Sequence, residues 1–293
     1  MPGITMDRFS DQQENILHQR VLASAQYPVL WKKMVAEWNA SDPENRVWLT
    51  YSANYLFRTN NIRWAIDPLT LFWRLKSASP VDIASDLSSL SFVLLTHAHK
   101  DHLDLDLLSA LKDHPIRWVV PEFMLSDVVT QAGLSPKNII IAAPLNPISI
   151  HGMHILPFNG LHWEETAAGA RRGVPALGYL IECNGRRWLF PGDTRTYNST
   201  QLPAFPAIDV VFAHLWLGRG SALQNPPPLL NPFCRFFLDT SARRVIVTHL
   251  NELGRDADDY WDVSHIDLVS TRFQEMSADV PISHLVMGDC ALL

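Results

Sequence analysis

The chain reads as an α/β protein carrying a helical extension at its amino end, and three observations lead there. Up to about residue 40, apolar residues recur at helical spacing; from Arg46 onward the pattern changes to short runs rich in Val, Ile, Trp and Phe. Between Ser91 and Gly133 such runs alternate with helix-length segments. Two further β-rich runs are joined by Asn184-Gly185, the dipeptide favoured in two-residue hairpins.

In chain order, Ile16, Leu17, Val21, Leu22, Val29, Leu30, Met34 and Trp38 give the extension its helical period. Pro28 is expected to split it into two helices, because proline lacks an N–H and its ring clashes with the preceding turn. "SDPENR" (Ser41 to Arg46) is a polar, turn-forming linker, which divides the chain into an extension over 1–45 and a main domain over 46–293. "RVWLTYS", "NYLFRT", "IRWAIDP" and "SFVLLT" then read as strands, "LDLLSALKDH" as a helix and "IRWVV" as a strand. "EFMLSDVVTQAG" reads as a helix ended by Gly133. "NIIIAA" and "HILPF" lead into the hairpin "GYLIECNGRRWLF", and "AIDVVFA", "RRVIVT" and "SHLVMG" supply the last strands. The Pro-rich "GSALQNPPPLLNPF" (Gly220 to Phe233) is expected to be a loop.

The bulk properties set limits on function. Hydrophobic content of 47% with 18% charged residues is globular, far from the signature of disorder. A net charge of -6 argues against a surface that tracks phosphates, so nucleic acid is not the expected partner. Cys183, Cys234 and Cys290 are odd in number and far apart, which fits a reducing compartment better than a disulfide framework. No apolar core opens the chain, and no stretch supplies about 18 uninterrupted apolar residues. A cytoplasmic protein without stable membrane insertion is expected; the sequence does not set its oligomeric state.

The chemistry concentrates in "SFVLLTHAHKDHLD", which places His97, His99, Asp101 and His102 within six positions of a chain holding 12 histidines. On extended backbone, His97 and His99 project to the same side and can share one ion. Asp101 and His102 follow as the chain turns into a helix, with Asp104 as its N-cap, and can face a second ion beside the first. Neutral imidazole and carboxylate are ligand types accepted by borderline ions such as Zn²⁺.

"THAHKDH" resembles the signature of the metallo-β-lactamase fold superfamily, and "LTYSANYLFRTNNIRWAIDP" resembles its opening strands. The resemblance implies a four-layer αβ/βα sandwich with the site at one edge of the two sheets. It also implies further ligands: His162, after an apolar run, with His151 and His154 as nearby competitors; Asp193 in "PGDT" as the carboxylate bridging both ions; and His249 after "RRVIVT". The run "GYLIECNGRRWLFPGDT" and Trp163 resemble more weakly the branch containing ascorbate-phosphate lactonases and N-acyl phosphatidylethanolamine phospholipase D. Arg195 stands where the family often has Gly after Gly-Asp-Thr.

The implied cofactors are two divalent metal ions, Zn first, with Mn or Fe as alternatives. Such a pair lowers the pKa of a bridging water towards neutrality and supplies hydroxide, so no Ser or Cys nucleophile is needed. Asp101 would orient that hydroxide, and His214, ending "AIDVVFAH", is a candidate proton donor. Trp163, Arg171, Arg172, Arg195 and Tyr197 are candidates for contacting substrate, and Trp216 and Trp261 for lining an apolar wall. The expected function is hydrolysis of an ester, lactone, amide or phosphodiester in a small molecule or lipid. A phosphodiester substrate predicts a cationic pocket around Arg171, Arg172 or Arg195. A non-catalytic metal-binding or regulatory role is the alternative. A nuclease is disfavoured by the acidic charge, and an oxygen-reducing enzyme by the intact His99.

Overall fold

The computed structural model describes residues 6–71, 81–165, 169, 171–276 and 279–293. The first half contains α1 (Met6–Asn39), β1 (Arg46–Leu49), β2 (Tyr55–Thr59), β3 (Ile62–Ile66), α2 (Ile83–Asp86), β4 (Phe92–Leu94), α3 (Leu105–Leu111), β5 (Arg117–Pro121), α4 (Leu125–Thr130) and β6 (Ile139–Ala142). The second half contains β7 (Ile148–Ile150), β8 (Met153–Asn159), β9 (Trp163–Glu165), β10 (Arg171–Gly173), β11 (Leu177–Cys183), β12 (Arg186–Phe190), β13 (Val210–His214), α5 (Leu230–Asp239), β14 (Val245–Thr248), α6 (Ser264–Glu275), β15 (Ile282–His284) and β16 (Cys290–Leu292).

The large strands form two seven-stranded sheets, ordered β16-β1-β2-β3-β4-β5-β6 and β15-β14-β13-β12-β11-β8-β7. Each sheet is antiparallel at one end and parallel at the other: β3 to β6 run parallel in the first, β12 to β15 in the second. Period-2 alternation sorts the side chains into layers. Val47, Tyr55, Phe57, Trp64, Ile66, Phe92 and Leu94 of the first sheet meet Tyr179, Ile181, Trp188, Phe190 and Phe212 of the second in one core. Their neighbours Trp48, Leu56, Ala65, Val93 and Trp118 turn outward and pack with residues of α1, α3 and α4. On the far side Leu180, Leu189, Val211 and Val247 pack with α5 and α6. Four layers result, αβ/βα, as the resemblance implies.

Three expectations are corrected. The extension is a single 34-residue helix running through Pro28. Tyr27 and Trp31, on either side of that proline, are both buried with ring centroids 5.9 Å apart, and Tyr27, Trp31, Met34, Val35 and Trp38 join the core over the first sheet. Burying each large side chain stabilises by roughly 1.5–3 kcal/mol, which offsets the ~3 kcal/mol penalty of proline in a helix. The carbonyls of the last turn are satisfied from below: Arg58 Nη1 donates to Glu37 O and Ala40 O, and Arg63 Nη2 to Asn39 O. The Pro-rich segment is a loop only to Leu229, because α5 starts at Leu230 and tolerates Pro232 in its first turn. Of "SHLVMG" only Ser283 and His284 are strand, at the end of β15, and the chain then turns so that β16 can pair with β1. Gly133 (φ 73) does close α4, with Leu134 N–H donating back to Val128 O. Among the described residues no helix is long and apolar enough to cross a membrane.

Candidate metal centre

The strand-to-helix turn after β4 is fixed at both ends. His102 and Leu103 N–H both donate to His99 O, and Asp104 caps α3 by accepting from Leu107 N–H at 2.9 Å. The other oxygen of Asp104 accepts from Thr70 N–H and Oγ1. The opposing sheet holds the strand end through Tyr179 OH, which donates to Leu95 O, and Leu177 N–H, which donates to Thr96 O. His97 and His99 therefore emerge at the edge where the two sheets meet.

Three later strand ends converge on them. His162 follows β8, and Arg195 N–H donates to Leu161 O, tying its loop to the one that carries Asp193. Asp193 follows β12 through Gly192, whose φ of 73 is a conformation that favours glycine. His249 follows β14 and itself sits at φ 66, held by its N–H donating to Ser52 O. A histidine in the left-handed region is strained backbone, kept there by the surrounding structure.

Two groups of side chains form: His97, His99 and His162; and Asp101, His102, Asp193 and His249. Within each group one donor atom per residue lies within 4.8 Å of the others, close enough to hold one metal ion. Asp193 faces both groups. Its Oδ2 lies 3.7 Å from His162 Nε2, and its Oδ1 lies 3.4 Å from His102 Nε2 and 3.6 Å from His249 Nε2. A third grouping, Asp67 with His97 and His102, meets the same distance limit. Asp67 is however already committed: it accepts from Thr96 N–H, Thr96 Oγ1 and His102 Nδ1. It orients His102 so that Nε2 points into the centre.

The donor atoms test whether metal suits the site. His97 Nε2, His102 Nε2, His249 Nε2 and Asp101 Oδ2 are buried and have no hydrogen-bond partner among the described residues. Each such group would cost about 1–3 kcal/mol if it stayed unsatisfied, yet all converge on one place. Imidazole nitrogen with carboxylate oxygen is a donor set suited to Zn²⁺ and neighbouring transition ions, so the residues present fit divalent metal.

The electrostatics agree with that fit. Burial lowers the pKa of His97 and His99, and that of His162 to about 4, leaving their imidazoles neutral near pH 7 with lone pairs available. Burial opposes charge on Asp101, but His249 and His102 outweigh it and hold the carboxyl well below the usual range. Asp193 is held down likewise by His249, His102 and Arg195. His102 is the exception: burial opposes its charge, but Asp193, Asp67 and Asp101 raise it well above the ordinary histidine value. Without metal it keeps a proton, which a metal ion would displace.

His214 reaches Asp193 but not the cleft. Its Nδ1 lies 2.9 Å from Asp193 Oδ1 and its Nε2 lies 2.9 Å from Tyr55 OH, which contacts Thr248 Oγ1 at 2.6 Å. Burial lowers its pKa to about 4, so the neutral ring donates from one nitrogen and accepts at the other. His151 and His154 lie apart from the centre: His151 stacks on Phe92 and His154 bonds Ser149 on β7.

Two adjoining clefts surround the centre. One, of about 420 Å³, is lined by His99, Asp101 and His162 with Lys100, Arg172, Arg195, Arg219 and Arg255. The other, of about 530 Å³, is lined by Leu161, Trp163, Arg171, Trp216 and Leu229, and shares Arg195 and Arg219 with the first. Arg195 bonds Asp193 Oδ2 at 3.0 Å and lies 4.6 Å over the Trp216 ring, forming the wall between them. Tyr197 turns away: its hydroxyl donates to Trp216 O and its ring packs edge-on against Phe233 and Phe236. Trp261 packs on His265 instead of lining either cleft. Gly173, which lines the first cleft beside Arg172, has φ 130, and a Cβ there would fall 1.9 Å from His162 O. Residues 166–168 and 170 of the "EETAAGA" loop lie outside the described residues.

Sequence reading missed Asp67, Thr96 and Tyr55, which support the centre, and Arg219, Arg255 and Lys100, which line the cleft. Lys100 lay within the histidine motif itself. Asp67 ended a strand in "AIDP", a signal available beforehand; Tyr55, Arg219 and Arg255 carry none that sets them apart from other residues of their kind.

Fold and site together define a hydrolase-like sandwich with His and Asp clusters that could hold metal ions. Over residues 63–250, more than half its length, the chain matches the family described as beta-lactamase superfamily domain, and it belongs to that superfamily. Among solved structures it is similar to Igni18, a metallo hydrolase from the archaeon Ignicoccus hospitalis, with 16% identity and TM-score 0.59 over 85% of this chain and 98% of that one. It is similar to an isothiocyanate hydrolase from Delia radicum gut bacteria, with 17% identity and TM-score 0.58 over 85% and 98%. It also resembles CmlA, a diiron beta-hydroxylase from Streptomyces venezuelae, with 17% identity and TM-score 0.58 over 86% of this chain but 54% of that one. At these identities the likeness is one of fold.

Proposed function

We propose that the protein is a dinuclear metal-dependent hydrolase acting on a small-molecule or lipid substrate that carries an anionic group, with a phosphodiester favoured. The observation that carries the dinuclear reading is the position of Asp193, one oxygen toward each histidine group. His97, His99 and His162 would hold one ion, Asp101, His102 and His249 the other, and Asp193 both. Zinc suits the set first, with manganese or iron as alternatives. When bound, two such ions supply Lewis acidity and make a coordinated water acidic enough to serve as nucleophile near pH 7.

The chain's own residues do the rest. Asp101 Oδ2, buried and without a hydrogen bond among the described residues, would accept and orient the proton of the attacking water. Asp67 and His214 act as positioning residues, fixing His102 and Asp193. The preference for an anion rests on the cleft, where Lys100 and Arg172 have no carboxylate partner among the described residues and Arg219 is tied to Glu164 through Nε. Arg172 and Lys100 are assigned to the substrate's charge, and Trp163 and Arg171, in the adjoining chamber, to its leaving portion.

The test is a hydrolysis panel on protein loaded separately with Zn²⁺, Mn²⁺ and Fe²⁺, covering chromogenic phosphodiesters, lactones, aryl esters and isothiocyanates. Phosphodiester turnover is expected to lead, and Asp193→Ala and His99→Ala to lose metal and turnover together. Full turnover by metal-stripped Asp193→Ala refutes the scheme. Metal binding without hydrolysis anywhere in the panel turns the reading toward a regulatory protein.

A further inference from the structure

We infer that the solvent face of α1 is where two copies of this chain associate, helix against helix and antiparallel. The helix buries Ile16, Ala23, Tyr27, Trp31, Met34 and Trp38 on one side. At 3.6 residues per turn the opposite side presents Leu22, Ala25 and Val29, with Val21 and Leu17 at its margin. Val29 is 74% exposed, Val21 67% and Leu17 51%. Isolated exposed apolar residues are ordinary. Here, among the described residues, four of the ten large ones in the chain, Leu17, Val21, Leu22 and Val29, lie on this face of α1 or at its margin.

The order along this face points to a second copy over any other occupant. His18, Leu22, Ala25, Val29, Lys32 and Ala36 follow the alternating four-three spacing of a helix-pair seam, and the two alanines let backbones approach closely. Acidic Asp11 and Glu14 precede the apolar patch, and basic Lys32 and Lys33 follow it. Asp11, Glu14 and Lys32 make no ion pair among the described residues, and Lys33 makes only a 3.9 Å contact with Glu37. Glu14 stands as far before Leu22 as Lys33 stands after Ala25. A two-fold axis between Leu22 and Ala25 therefore sets Leu22 against the partner's Ala25, Val29 against the partner's His18, and Glu14 against the partner's Lys33. This is the self-complementary pattern of an isologous interface. A parallel pair would instead place acid against acid and lysine against lysine.

Sedimentation velocity on the full chain, from about 1 to about 100 µM, reads the association directly. The expected species has twice the 33.1 kDa chain mass. Val29→Glu is expected to give a monomer with unchanged far-UV dichroism, and Val29→Ser to weaken the dimer if the charged variant misfolds. Reversing Asp11 and Glu14 to Lys should weaken association at least about tenfold, and adding Lys32→Glu and Lys33→Glu should restore it. A wild-type monomer at the highest concentration, or a dimer indifferent to Val29→Glu and Val29→Ser, overturns the proposal. Failure of the four-charge reversal to recover the dimer overturns the antiparallel register.

Discussion

Replacing Asp67 with Asn changes one atom in volume but reverses a hydrogen bond on which the metal centre rests. Asp67 Oδ2 accepts from His102 Nδ1 at 2.8 Å, which fixes the ring with Nε2 directed at the centre. Asn keeps an oxygen for Thr96 N–H, now given to Oδ1 at 2.8 Å, and must then present its NH₂ to His102. That donor favours the tautomer with the proton on Nε2, where a ligand needs a lone pair. Losing such a supporting contact costs about 10–100-fold in metal affinity, or about 1.4–2.7 kcal/mol. Proton competition acts in the opposite direction, because the same carboxylate helps raise the His102 pKa. Zinc titration against a chromophoric chelator at pH 7 and again at pH 9 separates the two effects, and the deficit should persist at the higher pH. Affinity within about twofold of wild type at both would refute the role given to Asp67.

Other consequences are equally concrete. Arg58→Met removes the donor to Glu37 O and Ala40 O at the end of α1, and should lower denaturant stability by about 2–4 kcal/mol; a loss under ~0.5 would show that these carbonyls find other donors. Pro28→Ala should raise stability by about 1–3 kcal/mol, since α1 already runs through that position, and an unchanged melting temperature would contradict this. Gly173→Ala must push aside the His162 carbonyl, so zinc affinity should fall by about tenfold or more, and wild-type affinity would show that β10 yields freely. The Asp262 and His265 pair at the start of α6 gives a pH signature. Burial opposes both charges, but their mutual bond holds Asp262 down at about 2 and raises His265. Its contribution should be present at pH 5–6, fall as pH rises through the raised His265 value, and fall in acid as pH passes toward about 2; His265→Ala should flatten the alkaline limb.

The α/β class was legible because its cause is local, whereas the four layers were legible only through the resemblance. Trp64–Ala65–Ile66 and Trp118–Val119–Val120 are continuous apolar runs, which mark strands buried on both faces, and in the structure their side chains alternate between two cores. "THAHKDH" was legible for the same reason, being a dense local pattern, and His162, Asp193 and His249 became legible through resemblance, since no spacing relates them. Pro28 misled because propensity gives way to burial: Tyr27 and Trp31 hold the helix together across it. Tyr55 and His214 were opaque as a pair, being 159 residues apart in sequence and joined only by the packing of two sheets. The cleft arginines come from β10 and from separate later loops, so the cationic wall exists only once the chain is folded.

The most direct measurement is anomalous diffraction at the zinc edge from crystals of zinc-loaded protein. Two peaks are expected, one about 2.0–2.2 Å from nitrogens of His97, His99 and His162, the other at like distance from Asp101, His102 and His249, with Asp193 touching both. A single peak, or one lying between Asp67, His97 and His102, would contradict the dinuclear centre.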